Sequence, residues 1–465
     1  MGEAFLDYKK GRAGLDINGI IEDYYVYAGE NVNAGDFVEF VNGISLSNDY
    51  GKSTAETLNS TKYSGFYHEA VKLDANRVFI AHSDSSYKLY GVIITINGID
   101  ITVGTDTLLS SLANSGKHFS IKLVTDNKIF IAYRYGTKEH LYSTVCTIDG
   151  TAITGYTYTM LAEYEMTGRT ISTQLLKDGK VFVAHSYGNS FWLAGIICTI
   201  EGTSITPSTD TTIVGENAGG NSISTVTLPD DKIFIAHSKT SNYGLYGMVC
   251  TVSGTTISKG ADTTLESGKY GGQVISTELL KNGNIFIAYS YSTTYTLRGM
   301  VCSVSGTSVT LGSITILDST SYSGKKIATI QTSNEDIFVA YSNNQSNLYG
   351  LVCKVSGTTI SSLGEKVHLN TAVYLAGEVI SALLLEKDLI FLSYGDSSDA
   401  INLQAQMFVV NKENIKPTDN ITITEYETQV RPATTLPCNG VAKSSGEGGS
   451  STAHNQQVSV YIPSV

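Results

Sequence analysis

Apolar and polar residues alternate in short runs along this chain, and one run returns seven times. It reads VFIAHS (Val78–Ser83), IFIAYR (Ile129–Arg134), VFVAHS (Val181–Ser186), IFIAHS (Ile233–Ser238), IFIAYS (Ile285–Ser290), IFVAYS (Ile337–Ser342) and IFLSYG (Ile390–Gly395). The central phenylalanines, from Phe79 to Phe391, are spaced 51, 52, 52, 52, 52 and 53 residues apart. A fixed period of that length, built from short apolar runs, marks an array whose unit is one small sheet. The fifth unit shows its parts: Gln273–Leu280, Ile285–Tyr291, Leu297–Gly306 and Thr307–Ile316 are rich in β-branched residues and separated by Gly, Asn and Ser clusters. That pattern predicts four strands per unit. Lys177-Asp178-Gly179 and Lys281-Asn282-Gly283 predict type I′ hairpins. Val252-Ser253-Gly254, Val304-Ser305-Gly306 and Val355-Ser356-Gly357 mark a second turn at one place in each unit.

The second strand does not alternate. Ile285, Phe286, Ile287 and Ala288 are all apolar, as in a strand covered on both faces. Sheets sandwiched between identical neighbours meet that condition, and their radial stacking is a β-propeller. An open β-solenoid is the rival array, but its coils are shorter than this period. The predicted fold is all-β: a seven-bladed propeller of four-stranded blades spanning 46–426. It is inserted into a small β-barrel or sandwich domain formed by both ends of the chain, 1–45 with 427–465. Two segments compete to close the ring. Val41–Ser45 resembles the turn and outer strand of the repeats, such as Val355–Ile360, while Ile415–Thr424 could complete the seventh blade unaided.

The flanks depart from the repeat. Asp23–Gly43 reads strand, turn, strand; Leu436–Ser451 is followed by Gln456–Pro463, in which Val458, Val460 and Ile462 alternate with Ser459 and Tyr461. Neither flank has the apolar surface for its own core, and a closed ring brings its ends together. "AGENVNAGDFVEFVNG" and "NGVAKSSGEGG…QVSVYIP" resemble the small β-modules of bacteriophage head decoration proteins and head fibres, with similar text in tail fibres. The likeness rests on Gly29, Ala34, Gly35, Asp36, Val38, Gly440, Val441, Ala442, Gly448, Gly449, Val458 and Val460, and the halves lie nearly 400 residues apart. It implies a structural protein on the virion surface. Its split domain would dock on capsid or tail proteins through Phe37, Val38, Phe40, Val441, Val458, Val460 and Ile462, with the propeller projecting toward host-surface glycans. A head decoration or head-fibre role is preferred over a tail-fibre or receptor-binding one. The alternative is a stand-alone glycan-binding or glycan-processing propeller.

Composition narrows the partners. The 465 residues carry a net charge of -12 with no basic cluster, which excludes a nucleic-acid groove. No run of eighteen apolar residues predicts membrane insertion. The N-terminal segment has early Glu and Asp and no apolar h-region, so a product made in a host cytoplasm and carried on the virion is expected. Leu6 stands where N-myristoylation wants Ser or Thr. Cys146, Cys198, Cys250, Cys302 and Cys353 share one repeat position with Ile94 and read as small buried hydrophobes. Facing sheets about 10 Å apart cannot bridge them as disulfides. Cys438 lies outside the repeats.

Three sets of residues invite a functional reading. His82, Tyr133, His185, His237, Tyr289, Tyr341 and Tyr394 end the second strands. They are either a polar aromatic ring for a ligand or, as preferred here, packing groups between blades. His82, His185 and His237 fall in blades one, three and four, too dispersed for zinc. The start of the third strand carries Tyr90, Tyr142, Tyr246, Arg298 and Tyr349, with Trp192, the sole tryptophan, in blade three. With the variable loops before them they form a candidate recognition rim. No recurring carboxylate pair, HExxH, GxSxG or phosphate loop is present. The Ser-Gly-Lys triplets at Ser115, Ser267 and Ser323 read as turns between blades. No cofactor, metal site or catalytic residue is expected.

Overall fold

The computed structural model describes residues 56–417, apart from 61–63, 98–99, 113, 137–138, 164–169, 216–218, 240–243, 268–273, 344–346, 371–378, 386–388, 397–400 and 412–413. It also describes strands at 24–27, 37–41, 429–432, 440–442 and 457–461. The chain divides into two compact units, Met1–Gly51 with Asp419–Val465, and Lys52–Thr418.

Lys52–Thr418 is a seven-bladed β-propeller. Blade one runs from the inner strand His68–Lys72 through Arg77–Ser83 and Leu89–Asn97 to an outer edge made of two pieces, Asp100–Val103 and Thr107–Ser110, both pairing with the third strand. The all-apolar run is buried for the expected reason. Phe79, Phe130, Phe182, Phe234, Phe286, Phe338 and Phe391 have no exposed surface, and each core cluster draws residues from two successive blades. Phe286, Ala288 and Leu317 of blade five, for example, meet Ile337, Val339 and Tyr341 of blade six. At roughly 25 cal/mol per Å² of apolar surface removed from water, these inter-blade layers are the main source of stability.

The outer edge is where local structure departs from the sequence reading. Thr307–Ile316 is not one strand but two, Ser308–Leu311 and Thr315–Asp318. Gly312 sits at the break with its N–H bonded to Val301 O at 2.9 Å. A Cβ there would collide with the Thr358 and Val301 carbonyl oxygens, so in this blade the step falls on a glycine, whereas blade three makes it on Ser208, whose N–H bonds Ile197 O at 2.8 Å. Blade two is the exception, with one outer strand, Ala152–Ala162. The hairpins at Lys177–Gly179 and Lys281–Gly283 are not type I′. Only their glycines are left-handed (Gly179 φ 81°, Gly283 φ 82°), and Leu176 and Leu280 each accept the glycine N–H and donate to residue 180 or 284. These are three-residue loops, a type I turn ending in a left-handed glycine.

The ring is closed by both ends of the propeller. The seventh blade has the order Ser381–Leu384, Leu389–Gly395, Leu403–Asn411, with Glu56–Asn59 and Asn414–Pro417 both pairing with Leu403–Asn411. Each end thus supplies one half of the outer edge. The half-strand from the N-terminal side is Glu56–Asn59, not Val41–Ser45; Val41 pairs with Gln429 in the other unit and 42–45 lie outside the described residues. Inner strands repeat one stitch around the axis. The Thr173 N–H reaches Ser120 Oγ at 3.2 Å, the Thr277 N–H reaches Ser224 Oγ at 3.1 Å, and the Ile121 N–H reaches Glu69 Oε2 at 3.1 Å. The Ala70 N–H makes the same bond to Ser381 Oγ at 3.2 Å, joining blade seven to blade one.

The other unit contains a five-stranded antiparallel sheet drawn from both flanks, in the order Tyr24–Tyr27, Gln457–Tyr461, Gly440–Ala442, Phe37–Val41, Gln429–Pro432. Tyr24 pairs with Val460, Val26 with Val458, and Phe37 with Val441.

Candidate functional site

The rim where second strands end and third strands begin carries a polar junction that recurs between blades. In four blades the loop there is a tight turn ending in a left-handed residue: Tyr87 (φ 53°), Glu139 (60°), Phe191 (51°) and Tyr295 (50°) recur at the repeat period. The next inter-blade turn bonds back to that residue. Gly116, Gly220 and Gly324 donate their N–H groups to Tyr87, Phe191 and Tyr295. Two of the three Ser-Gly-Lys triplets are such turns: Ser115 Oγ takes the Leu89 N–H and donates to Ser110 O, and Ser323 Oγ does the same with Leu297 and Asp318, while Gly268 and Lys269 of the third lie outside the described residues.

On this frame the seven second-strand residues are buried to 1% exposure or less. They divide into two classes, and the division is compensated elsewhere in each repeat. In blades one, three and four the residue is histidine, and its Nε2 meets an aspartate at the start of the last outer strand. His82–Asp106 is 2.9 Å, His185–Asp210 3.2 Å and His237–Asp262 2.9 Å. Where the residue is tyrosine, the register-equivalent position holds Tyr158, Ile314 or Lys366 instead of aspartate. The tyrosine then reaches back to the end of the preceding blade. Tyr289 Oη donates to Glu266 (3.4 Å) and Tyr341 Oη to Asp318 (2.9 Å), while Asn370 Nδ2 donates to Tyr394 Oη (2.7 Å). Ser110 occupies this place before Tyr133, whose own hydroxyl has no hydrogen-bond partner. Ala162 and Val214 occupy it before His185 and His237.

Burial pushes the hydroxyls of Tyr133, Tyr289, Tyr341 and Tyr394 well above the usual phenol range. Burial also raises the carboxyls, but for two of them the partners win. Bonds and charge from His237 and Lys239 hold Asp262 below the usual carboxylate range, and Lys366, Thr320 and Tyr341 do so for Asp318. The preferred packing reading of the ring therefore holds, with side-chain carboxylates and amides as the main partners.

The expected rim residues are all present, with one correction of place. Tyr90, Tyr142, Tyr246, Arg298 and Tyr349 lie directly opposite the ring residue on the third strand. Trp192 is not their equivalent: it pairs with Tyr187, two residues earlier, and the equivalent position is Ala194. The tyrosines are half-buried stacks. Tyr90 lies on His82 (5.8 Å), Tyr246 on His237 (5.7 Å) and Tyr349 on Tyr341 (5.8 Å). Lys239 covers Tyr246 at 3.9 Å and Lys366 covers Tyr349 at 4.2 Å, so what these rings offer a ligand is an edge and a hydroxyl. Arg298 joins Glu266 at 3.1 Å and lies over Tyr291. Trp192 is 40% exposed. Sequence reading missed the carboxylates Asp106, Asp210, Asp262, Glu266 and Asp318. The usable signal was Asp-Thr at 106–107, 210–211 and 262–263, present in the three blades that carry histidine.

The five repeat cysteines are free and buried, and burial pushes the thiols of Cys146, Cys250 and Cys302 up to about 12. Phe37, Val38 and Phe40 lie on one strand of the terminal sheet, Val441 on a second, and Val458 and Val460 on a third. Ile462 falls outside the described residues. Among the described residues no helix is long and apolar enough to cross a membrane.

Fold and rim together define an all-β, seven-bladed propeller with a repeated polar junction between blades. No family profile and no curated protein matches the chain. Among solved structures it is similar to a protein from Lactobacillus plantarum, at 11% identity and a TM-score of 0.50, covering 77% of this chain and 98% of that one. It is also similar to Aleuria aurantia lectin in complex with Fucα1-6GlcNAc, at 14% identity and a TM-score of 0.42, covering 65% and 97%. A third likeness is to NanB sialidase from Streptococcus pneumoniae, at 11% identity and a TM-score of 0.43, covering 82% and 93%. At these identities the likeness concerns fold.

Proposed function

We propose that the propeller is a non-catalytic carbohydrate-recognition module. One observation carries this reading: in blades one and four and where blade five meets blade six, the same rim sets an aromatic edge and a carboxylate side by side beneath loops that differ between blades. Examples are Tyr90 with Asp106, Tyr246 with Asp262 and Tyr349 with Asp318. Carboxylates and tyrosine hydroxyls hydrogen-bond sugar hydroxyls, and variable loops on a constant frame change preference without changing fold. Several weak junctions on one ring favour multivalent surfaces such as polysaccharides. The test is a glycan array probed with the intact protein, followed by product analysis of the retained glycans. Retention without cleavage is expected; cleavage would replace the reading with an enzymatic one.

A second reading concerns the mount. The pairing of Tyr24–Tyr27 and Phe37–Val41 with Gln457–Tyr461 and Gly440–Ala442 in one sheet supports the resemblance to split phage modules. On that reading the terminal domain docks on capsid or tail proteins through Phe37, Val38, Phe40, Val441, Val458, Val460 and Ile462, a head-decoration role being preferred, and the propeller serves host adhesion. Removal of 1–45 and 430–465 abolishes attachment to particles if this is right; attachment that survives removal would dismiss the mount.

A further inference from the structure

We propose that blade three holds the principal sugar site, built from Trp192, Tyr187 and Asp210, and that it takes an uncharged pyranose. The inference rests on the recognition reading above and selects one junction out of seven.

Blade three departs from its sisters on the strand facing His185. Opposite His185 stands Ala194, where five other blades carry a tyrosine or arginine and the seventh carries Gln404. The stack that covers His82 and His237 is therefore missing its outer ring. The aspartates differ as well. In blade one, Asp106 gives Oδ1 to His82 and Oδ2 to Asn59 Nδ2 at 2.8 Å. In blade four, Asp262 gives Oδ1 to His237 and Oδ2 to Lys239 at 2.6 Å. In blade three, Asp210 gives Oδ1 to His185, and its buried Oδ2 receives no hydrogen bond at all. The side chain is only 11% exposed. A buried carboxylate oxygen without a donor is costly, and a ligand hydroxyl supplies the donor that Asn59 and Lys239 supply elsewhere.

The apolar half of such a site lies alongside. Tyr187 links the pieces: its ring is 6.2 Å from His185, its hydroxyl is 2.7 Å from Thr212 Oγ1, and Trp192 packs on it edge-to-face at 5.5 Å. The turn from Gly188 (φ 69°) to Phe191 (φ 51°) is closed by the Phe191 N–H to Gly188 O and held by the Gly220 N–H to Phe191 O. It fixes the start of the third strand, where Trp192 stands. No cation caps Trp192 as Lys239 caps Tyr246 among the described contacts. A hydroxyl donor to Oδ2 and a C–H face for the indole are what a sugar ring combines. No cation contacts Asp210 among the described residues, and the chain carries a net charge of -12, so an anionic sugar gains nothing here.

Trp192 is the only tryptophan among 29 tyrosines, so emission excited selectively at the red edge of the indole band reports this site. Neutral hexoses, 6-deoxyhexoses and N-acetylhexosamines are titrated, with sialic acid as the charged probe. A saturable emission change is expected with at least one neutral sugar and none with sialic acid. Calorimetry should then show a loss of about tenfold or more for Trp192→Ala and Asp210→Asn. Asp178→Asn, at the far end of the same blade, should leave affinity unchanged, and melting curves verify that all three variants fold. Glycan capture by the intact protein with silent emission and unaltered Trp192→Ala and Asp210→Asn affinities would remove the site and leave the recognition reading standing. Equal binding of sialic acid would overturn the ligand class. Failure to retain any glycan on the array would overturn both.

Discussion

Tyr341 and Tyr133 occupy the same repeat position, yet one donates to a carboxylate and the other to nothing. Removing the hydroxyl therefore has two different outcomes. Tyr341→Phe should cost about 1.5–3 kcal/mol, the range for a bond to a charged group, whereas Tyr133→Phe should be close to neutral because no bond is lost. Urea midpoints of the two variants measure the contrast, and equal losses would show that the ring serves by packing alone. Charge near the axis is argued in the same way. Burial pushes Glu278 up to about 7 against the Gln331 N–H bond and the Lys122 charge, and Glu69 up to about 7 likewise. A carboxyl with a raised folded pKa stays protonated in the fold while the unfolded chain has released its proton. Its contribution to stability thus falls as pH rises from about 4.5 to about 7. Glu278→Gln should leave the melting temperature at pH 4 unchanged and raise it at pH 8. No gain at pH 8 would place the carboxylate in a wetter setting than the inner strand implies.

Elements show where sequence was informative. The period, the four strands and the doubly covered second strand were all legible, because burial on both faces removes polar positions from a run and leaves a visible mark. The break in the outer strand was not. Ser308–Leu311 and Thr315–Asp318 carry ordinary strand residues, and Gly312 looks like any turn glycine until the neighbouring carbonyls are seen. The type I′ expectation failed for a related reason: Asp-Gly and Asn-Gly also suit a type I turn followed by a left-handed glycine, and the extra loop residue decides. A pair of substitutions separates the two uses of glycine. Gly357 (φ 60°) has open space around its Cβ position, so Gly357→Ala should cost about 1–2 kcal/mol of backbone strain. Gly312→Ala must also displace backbone and should cost more. Denaturant melts that rank Gly357→Ala as the worse variant would refute the close approach. The histidine–aspartate and tyrosine–carboxylate classes were readable too, though only by comparing repeats column by column, since no single unit contains both.

At the scale of the molecule the decisive feature is that the last blade borrows from the first residues of the propeller. Seven repeats gave away the blade number, but the closing half-strand was hidden. It is four residues long, Glu56–Asn59, with one register shift against Leu403–Asn411, and its repeat text, ETLNSTKYSG at 56–65 against TILDSTSYSG at 315–324, goes unnoticed because it stands ahead of the first full unit. Val41–Ser45 looked more like a repeat, yet its one described residue, Val41, pairs with Gln429 in the other unit. Closure matters because an open array exposes two apolar blade faces, whereas a ring exposes none. Here it rests on few bonds. Beyond the half-strand, the bonds among the described residues include Gln404 Nε2 to Thr57 Oγ1, the Ser64 Oγ bonds to Asn59 O and from the Leu403 N–H, the Gly65 N–H to Ile401 O, the Ala70 N–H to Ser381 Oγ, and Lys72 Nζ to Leu385 O. A fragment spanning 52–418 keeps all of them and should melt in one transition, with calorimetric and van't Hoff enthalpies equal. A fragment beginning at residue 61 loses the half-strand, leaves the Leu403–Gln404 edge unpaired, and should melt several degrees lower with a calorimetric enthalpy above the van't Hoff value as blades seven and one fray first. Indistinguishable melting of the two fragments would mean that the inner-strand stitch from Ala70 to Ser381 closes the ring by itself.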